Sequence, residues 1–450
     1  MKRQAPIAPG PHGSKVLGNL PEFRRDVLGL LTSSAREFGD VVRFRLGPHV
    51  VHLLNHPDHI EHVLQKNPQN YDRGTRSASK IRAVCGESLL TTDGEFWRQQ
   101  RRLIQPAFHH QRIAGFASVM TDETASMLER WQPFAASGTP LNVASEMSRL
   151  AYSIVGKTLF SADVTTDAEE VERALAVVLE HTYHRLETLL DLPVSFPLPA
   201  NRLFQTALRS IDKVVYRIIA ERRQQPGEHA DLLSMLLPAR DDTGEAMSDS
   251  QLRNEVIALL LAGFETTANA LSWTFYLLSQ NPETERQLRA EAATVEDISK
   301  LKYTTMVFHE ALRLYPPIWI LERRVVTEEA IGGYRIPAGS TVVVSPFVLH
   351  RHPAFWGSPE RFDPLRFADA SIASRPPGAF LPFGAGPHQC IGNNFAMMEA
   401  RIILSMVLKK FSLHTVPGHP VEPKPGITLR PRHGLMMIAH SQNPPSQHAK

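Results

Sequence analysis

The sequence predicts a mainly α protein with small β-sheets, a single large helical domain beside a smaller β-rich region. Three observations carry that expectation. Apolar residues recur at helical spacing through most of 113–237, a second run at 256–278 is apolar nearly all the way round, and β-branched runs are short and confined to a few places. The chain has 450 residues, 42% of them apolar and 21% charged, enough for one ample core. The expected domain is 1–439, with β-rich portions near 40–70, 318–350 and 412–438 and a disordered polar tail at 440–450. The formal net charge is only +3 and basic residues form no long runs, which excludes nucleic-acid binding.

Taken in order, the proline-rich residues 5–12 lead into a helix over 28–38. Residues 41–46 and 50–54 read as a hairpin split by Gly47-Pro48, followed by a short helix at 60–65. Residues 72–92 read as irregular. A helix then carries Trp97 and Arg101 at i and i+4, on one face. Successive amphipathic helices fill 113–237, interrupted by the proline-rich break at 192–199.

Ser248 or Ser250 is placed to cap a long helix reaching about Gln280. Its middle reads Ala262-Gly263-Phe264-Glu265-Thr266-Thr267, and a glycine there costs about 1 kcal/mol relative to alanine. That helix is apolar enough to suggest a membrane span. Glu265, Thr266, Thr267 and Asn269 at its centre argue against one, since an ionised group in lipid costs roughly 3 kcal/mol, so a buried crossing helix and a protein without a membrane span are expected. Glu310 and Arg313 can pair along the next helix, with Arg361 as a third member of a charge cluster, and Tyr315-Pro316-Pro317 ends that helix. Residues 318–321 form an apolar extended run, 334–336 and 341–344 are strands that extend the small sheet, and 426–431 is a strand turn.

The chemistry concentrates at Phe383-Gly384-Ala385-Gly386-Pro387-His388-Gln389-Cys390-Ile391-Gly392. Two glycines and a proline make an open bend just before a helical run over 395–411. The bend presents Cys390 at a helix entrance, where free N–H groups favour thiolate. Cys85 is the other cysteine, and no C-x-x-C exists, so cysteines alone assemble neither a zinc knuckle nor a dithiol centre. Low cysteine usage and an N-terminus without an apolar block fit a soluble, cytoplasmic protein.

The run F-G-x-G-x-H-x-C-x-G resembles the haem-binding loop of the cytochrome P-450 family, the haem-thiolate monooxygenases. W-x-x-x-R, A-G-x-E-T-T, E-x-x-R and the later arginine occur in the family's order, so the resemblance covers almost the whole chain. It implies the P-450 fold, with haem b buried between the long helix and the Cys390 loop, and Cys390 as the iron ligand. Phe383, Gly384, His388 and Gly392 would shape the loop around the cofactor. Trp97 and Arg101 would hold a haem propionate, with Arg323 as a second contact and Arg324 as its fallback. Position 388 is histidine where many members carry arginine, so donation there would depend on pH.

The resemblance further implies that Ala262 and Gly263 leave room for dioxygen and substrate, while Glu265 and Thr266 deliver protons. Glu310, Arg313 and Arg361 would lock the structure behind the haem loop. The expected pocket lining is Leu89, Leu90, Phe264, Ile318, Trp319, Ile320, Ile427 and Leu429. That lining suits a lipophilic molecule of terpenoid, carotenoid, steroid or fatty acyl type. O2 would be the co-substrate. Electrons from NAD(P)H would arrive through a separate ferredoxin and ferredoxin reductase, docking on a monomer near Arg98, Arg102, Lys409 and Lys410. The rival reading is a haem-thiolate peroxygenase or isomerase that needs no external electrons. The residue pair Glu265-Thr266 weighs against it, because a proton relay is needed chiefly when dioxygen is reduced.

Overall fold

Ser248 accepts a hydrogen bond from the amide of Gln251 and so starts the helix Asp249–Gln280, about which the rest of the chain is packed. The computed structural model describes residues 5–160, 165–188, 192–224, 231–240 and 244–442. The 32-residue central helix would span roughly 48 Å at 1.5 Å per residue. It is long and apolar enough to cross a membrane, but 72% of its most apolar window is buried inside the protein, as expected of a core helix. The helices Val143–Phe160, Pro199–Gln224, Lys302–Leu314 and Asn393–Lys410 pack against it. Val155, Ile257, Leu271, Phe275, Phe308 and Ile403 are among the side chains closing this core.

The principal sheet has five strands in the order Val41–Leu46, His49–Leu54, Thr341–Val344, Leu321–Val325, Tyr71–Asp72. The first two are the expected hairpin. The pairing of His49–Leu54 with Thr341–Val344 is parallel, Val51 opposite Thr341, and joins the early part of the chain to its last third. Tyr334–Ile336 does not extend this sheet. It turns back on Glu329–Ile331 as a separate two-stranded hairpin. A three-stranded sheet pairs Leu141–Asn142 and Phe411–Thr415 on either side of Met436–Ser441. A third small sheet, Pro423–Pro425 against Leu429–Pro431, presents the turn at 426–428.

Two local expectations are corrected. The stretch expected to be irregular contains the helix Arg76–Cys85, because Thr75 caps it by accepting from the Ala78 amide and Ala78, Val84 and Cys85 bury one face. The short helix near residue 60 runs as Pro57–Glu61 and continues over His62–Lys66 as a π turn. The proline-rich break is tied to the following helix, with Asn201 donating to the carbonyls of Pro193 and Phe196. Of the expected tail, 443–450 lies outside the described residues, and the last strand extends to Ser441.

Candidate active site

The cysteine loop is built by backbone that only glycine adopts easily. Gly384 and Gly386 have φ of 68° and 72°, and a Cβ on Gly386 would stand 1.8 Å from the Leu64 carbonyl oxygen. The loop closes through the Cys390 amide donating to the Phe383 carbonyl at 2.9 Å, and Gly392 opens the helix Asn393–Lys410. Burial pushes the Cys390 thiol up, while the Gly392 N–H and the Arg101 guanidinium act to bring it down. The N–H at the helix entrance acts in the direction expected from sequence, and burial opposes it. Cys390 is exposed and lines a large cavity.

Arg101 donates from Nη1 to the Gln389 carbonyl at 3.0 Å, tying the helix Gly94–Ile104 to the cysteine loop. Trp97 packs on the His388 ring with centroids 4.0 Å apart. His388 Nε2 lies 3.3 Å from Asp93, while its Nδ1 is buried with no hydrogen-bond partner among the described residues. Burial, then the charges of Arg73, Arg323 and Arg101, hold the imidazole far below its usual pKa. Asp93 also accepts from the Arg73 amide at 2.6 Å, and the Arg73 guanidinium reaches the Leu89 carbonyl.

Three partly buried guanidinium groups therefore crowd one wall, with Asp93 as a carboxylate among them and Glu322 also acting on Arg323. Burial and then the neighbouring Arg323 push Arg73 down to about 9, and burial also lowers Arg101 and Arg323. Such repulsion is relieved by a bound polyanion. Arg73 was not foreseen, because no motif marks it. Of the two arginines left open by the sequence, Arg323 faces this cluster, while Arg324 is half exposed and pairs with Asp72.

The cavity has a volume of about 1490 Å³. That exceeds the roughly 300–1,000 Å³ of a typical small-molecule site and leaves space for a cofactor together with a substrate. Cys390 and the turn 262–267 of the central helix both line it. Thr266 donates its hydroxyl to the Ala262 carbonyl at 2.6 Å. Glu265 is engaged elsewhere: the Thr428 hydroxyl donates to its Oε1 at 2.8 Å, and Thr428 in turn accepts from Asn269 Nδ2 at 2.9 Å. Acid and alcohol adjoin in sequence but bond to different partners. Burial pushes the Glu265 carboxyl up, against the Thr428 bond and the charge of Arg430. Gly263 lines the cavity, yet its missing side chain also serves packing, since a Cβ there would meet Val155 Cγ2 at 3.0 Å. Sequence reasoning also missed Glu399. It is fully buried, its carboxylate oxygens lack hydrogen-bond partners among the described residues, and burial pushes it up to about 8, with the Thr267 hydroxyl a weak counterweight.

Leu89, Leu90, Ile318, Trp319, Ile320 and Ile427 line the cavity as expected. Phe264 and Leu429 do not. Phe264 projects from the central helix toward Tyr152, edge to face at 6.0 Å, and Leu429 sits one strand residue beyond Thr428, so its side chain enters the core beside Trp319 and Val343. Ile81, Leu179 and Tyr183 line the cavity instead, from helices whose apolar faces gave no indication of what they cover.

Behind the loop, Glu310 and Arg313 form a fully buried bidentate pair at 2.6 and 2.8 Å. Arg313 also donates to the carbonyls of His350, Pro359 and Arg361. The expected third member is corrected: the Arg361 side chain is 73% exposed and only its carbonyl joins the cluster, while Arg366 lies 3.4 Å from Glu310. The turn after Ser358 brings the Arg361 backbone, rather than its guanidinium, against Arg313.

A family model described as cytochrome P-450 matches residues 8–438. The chain belongs to the cytochrome P-450 family. Among curated P-450 relatives, it is 38% identical to cyclooctatin synthase of Streptomyces melanosporofaciens, over 94% of this chain and 93% of that one. It is 36% identical to cyclooctat-9-en-7-ol 5-monooxygenase of the same organism, over 91% and 90%. It is 33% identical to pentalenene oxygenase of Streptomyces avermitilis, over 93% of both. The crystal structure of the cytochrome P450DA heme domain superposes with a TM-score of 0.89 at 26% identity, covering 98% of this chain and 99% of that one. The protein is thus a P-450 monooxygenase with the P-450 fold, and haem is the family's cofactor. The residues fit that group: a lone thiol in an apolar cavity, an orphaned imidazole nitrogen and three guanidinium groups suit an iron porphyrin with two carboxylates.

Proposed function

We propose that this P-450 inserts one oxygen atom from O2 into a lipophilic terpenoid, drawing electrons from NAD(P)H through separate ferredoxin and ferredoxin reductase proteins. One observation carries the reading. A cavity walled largely by apolar side chains joins the Cys390 thiol, the arginine cluster and the turn bearing Glu265 and Thr266 in one continuous space. Support for a terpenoid comes from relatives named for cyclooctat-9-en-7-ol and pentalenene.

Cys390 would ligate the haem iron, and bonding to the metal would complete the deprotonation that burial opposes. Arg73, Arg101, Arg323 and His388 would hold the propionates, which answers both the repulsion among the cations and the orphaned Nδ1 of His388. Haem bound there supplies dioxygen activation. Ile318, Trp319, Ile320 and Ile427 exclude water and orient the substrate by shape. Glu265, whose carboxyl burial pushes up, and the Thr266 hydroxyl supply protons to the cavity. The protein acts as a soluble monomer.

The test is spectroscopic and then chemical. The reduced protein treated with carbon monoxide should show the strongly red-shifted absorption of thiolate-bound haem, and Cys390→Ser should abolish it. Terpenoids that displace iron-bound water should be identified by their Soret shift, then incubated with ferredoxin, reductase and NAD(P)H. Product formed from peroxide but never from that mixture would overturn the assignment in favour of a peroxygenase.

A further inference from the structure

The turn at 426–428 reaches the cavity from a two-stranded hairpin that is anchored on several sides. Trp319 Nε1 donates to the Gly426 carbonyl at 2.9 Å, and Trp273 Nε1 donates to the Leu429 carbonyl at 3.0 Å. The Leu429 amide donates to the Pro317 carbonyl at 2.9 Å, and the Gly426 amide donates to the Thr428 carbonyl at 3.0 Å across the turn. Two of these donors come from buried indoles, so the backbone around Thr428 is fixed against both the central helix and the segment 317–320 that leads into the strand Leu321–Val325. The side chain of Thr428 is itself buried and makes two hydrogen bonds of opposite sense, accepting from Asn269 and donating to Glu265.

That order has a consequence for where a proton can reside. A threonine hydroxyl has one hydrogen. With Asn269 Nδ2 donating to the oxygen, the hydrogen is directed to Glu265 Oε1. Oε1 is then occupied as an acceptor, and the exchangeable proton of the acid belongs on Oε2. Asn269 lies four residues after Glu265 on the same helix, so one turn of helix supplies both the acid and the group that orients its partner.

We propose that Thr428 is a positioning residue for proton delivery: with Asn269 setting the direction of its hydroxyl, it pins Glu265 Oε1 and leaves the acidic proton on Oε2, available to the cavity. The assignment rests on the proposed role of Glu265 as a proton source. Loss of the proton leaves a carboxylate that Thr428 still holds, so the acid returns to the same orientation when it is reprotonated. The charged group that bears on Glu265 is Arg430, two residues along the hairpin, which is itself paired with Glu180 at 3.2 Å. The same hairpin therefore connects the acid to the helix Thr165–Glu187, which also contributes Leu179 and Tyr183 to the cavity wall.

The experiment is a pH-titrated infrared measurement on the haem-loaded protein, with the carbonyl stretch of protonated Glu265 assigned by its loss in Glu265→Gln. Thr428→Val replaces the hydroxyl by a methyl group of similar shape. It should move that band to higher frequency, as expected for a carbonyl relieved of its donor, and should shift the band's titration to higher pH, because the carboxylate loses a stabilising bond. Thr428→Ser should restore both. In turnover, Thr428→Val should lower product formed per NAD(P)H and raise peroxide severalfold while substrate KM stays within about twofold, and Thr428→Ser should recover the yield. Should Thr428→Val not fold, Asn269→Leu interrogates the same chain, since a hydroxyl freed to rotate should split or broaden the Glu265 band. A band and titration unchanged in Thr428→Val, or in Asn269→Leu, overturn the positioning role. Unchanged coupling in Glu265→Gln would instead overturn the proton-source reading on which the proposal rests, and the two failures are separate measurements.

Discussion

Arg73 shows how much of a site can lie outside its motifs. Its guanidinium is partly buried at the cavity wall, its own amide is held by Asp93, and the cations acting on it are Arg323 and Arg101. Nothing in the local sequence marks it, because the groups around it, from Leu89 and Asp93 to Arg323, lie 16 or more residues away along the chain. If the cluster holds the propionates, Arg73→Leu or Arg323→Leu should speed haem transfer to an apo-acceptor protein by tenfold or more, from a loss of about 1.5–3 kcal/mol per charged hydrogen bond. Arg324→Leu removes only a half-exposed pair with Asp72 and should leave the transfer rate unchanged. Glu399 gives a pH prediction of definite sign. Its folded pKa is raised by burial to about 8, so it binds its proton more tightly folded than unfolded. The resulting stability is fully present below the unfolded carboxyl range, near 4.5, and is lost as pH rises to about 8. Glu399→Gln should therefore raise the free energy of unfolding between pH 6 and 8, by up to a few kcal/mol, and flatten its dependence on pH, as chemical unfolding at each pH would show.

Among the elements, the helix Lys302–Leu314 is secured by its buried pair more than by its length. Arg313→Ala strands Glu310 without its bidentate partner and should cost about 3–5 kcal/mol in chemical unfolding. Arg361→Ala should fall within about 0.5 kcal/mol of wild type, and Arg366→Ala between the two. The crossing of the central helix with Val143–Phe160 gives another measurable contrast. Gly263→Val drives a branched side chain into Val155 and should cost about 1–3 kcal/mol, part of which Val155→Ala should restore. Helices, the first hairpin and the loop around Cys390 were legible in the sequence because each is set by neighbours a few residues away. The helix at Arg76–Cys85 was not, since its cap and apolar face are interleaved with charged residues that read as loop. Phe264 and Leu429 were misplaced for a related reason: a motif fixes position along the chain, whereas the face a side chain takes is decided by the element packed against it.

For the molecule as a whole, the cavity makes cofactor and stability inseparable. A volume of about 1490 Å³ lined by apolar walls and a crowd of cations is costly without its occupant. Removal of haem should lower the thermal midpoint by many degrees and make the apoprotein more responsive to multivalent anions than the loaded form is, as calorimetry in chloride and in sulfate at matched ionic strength would show. The whole-chain order of motifs was legible. The spatial exchange of Arg366 for Arg361 and the meeting of Thr428 with Glu265 were not, because both depend on how distant segments dock.

The parallel pairing of His49–Leu54 with Thr341–Val344 also bears on how the protein is made. A hairpin completed early on the ribosome carries an open edge, with Leu53 and Leu54 uncovered, until its neighbouring strand emerges on the order of tens of seconds later at typical synthesis rates. Throughout that interval the nascent chain presents a template for pairing with other chains. Yield in a heterologous host should therefore respond to chaperone supply and growth temperature more than to promoter strength.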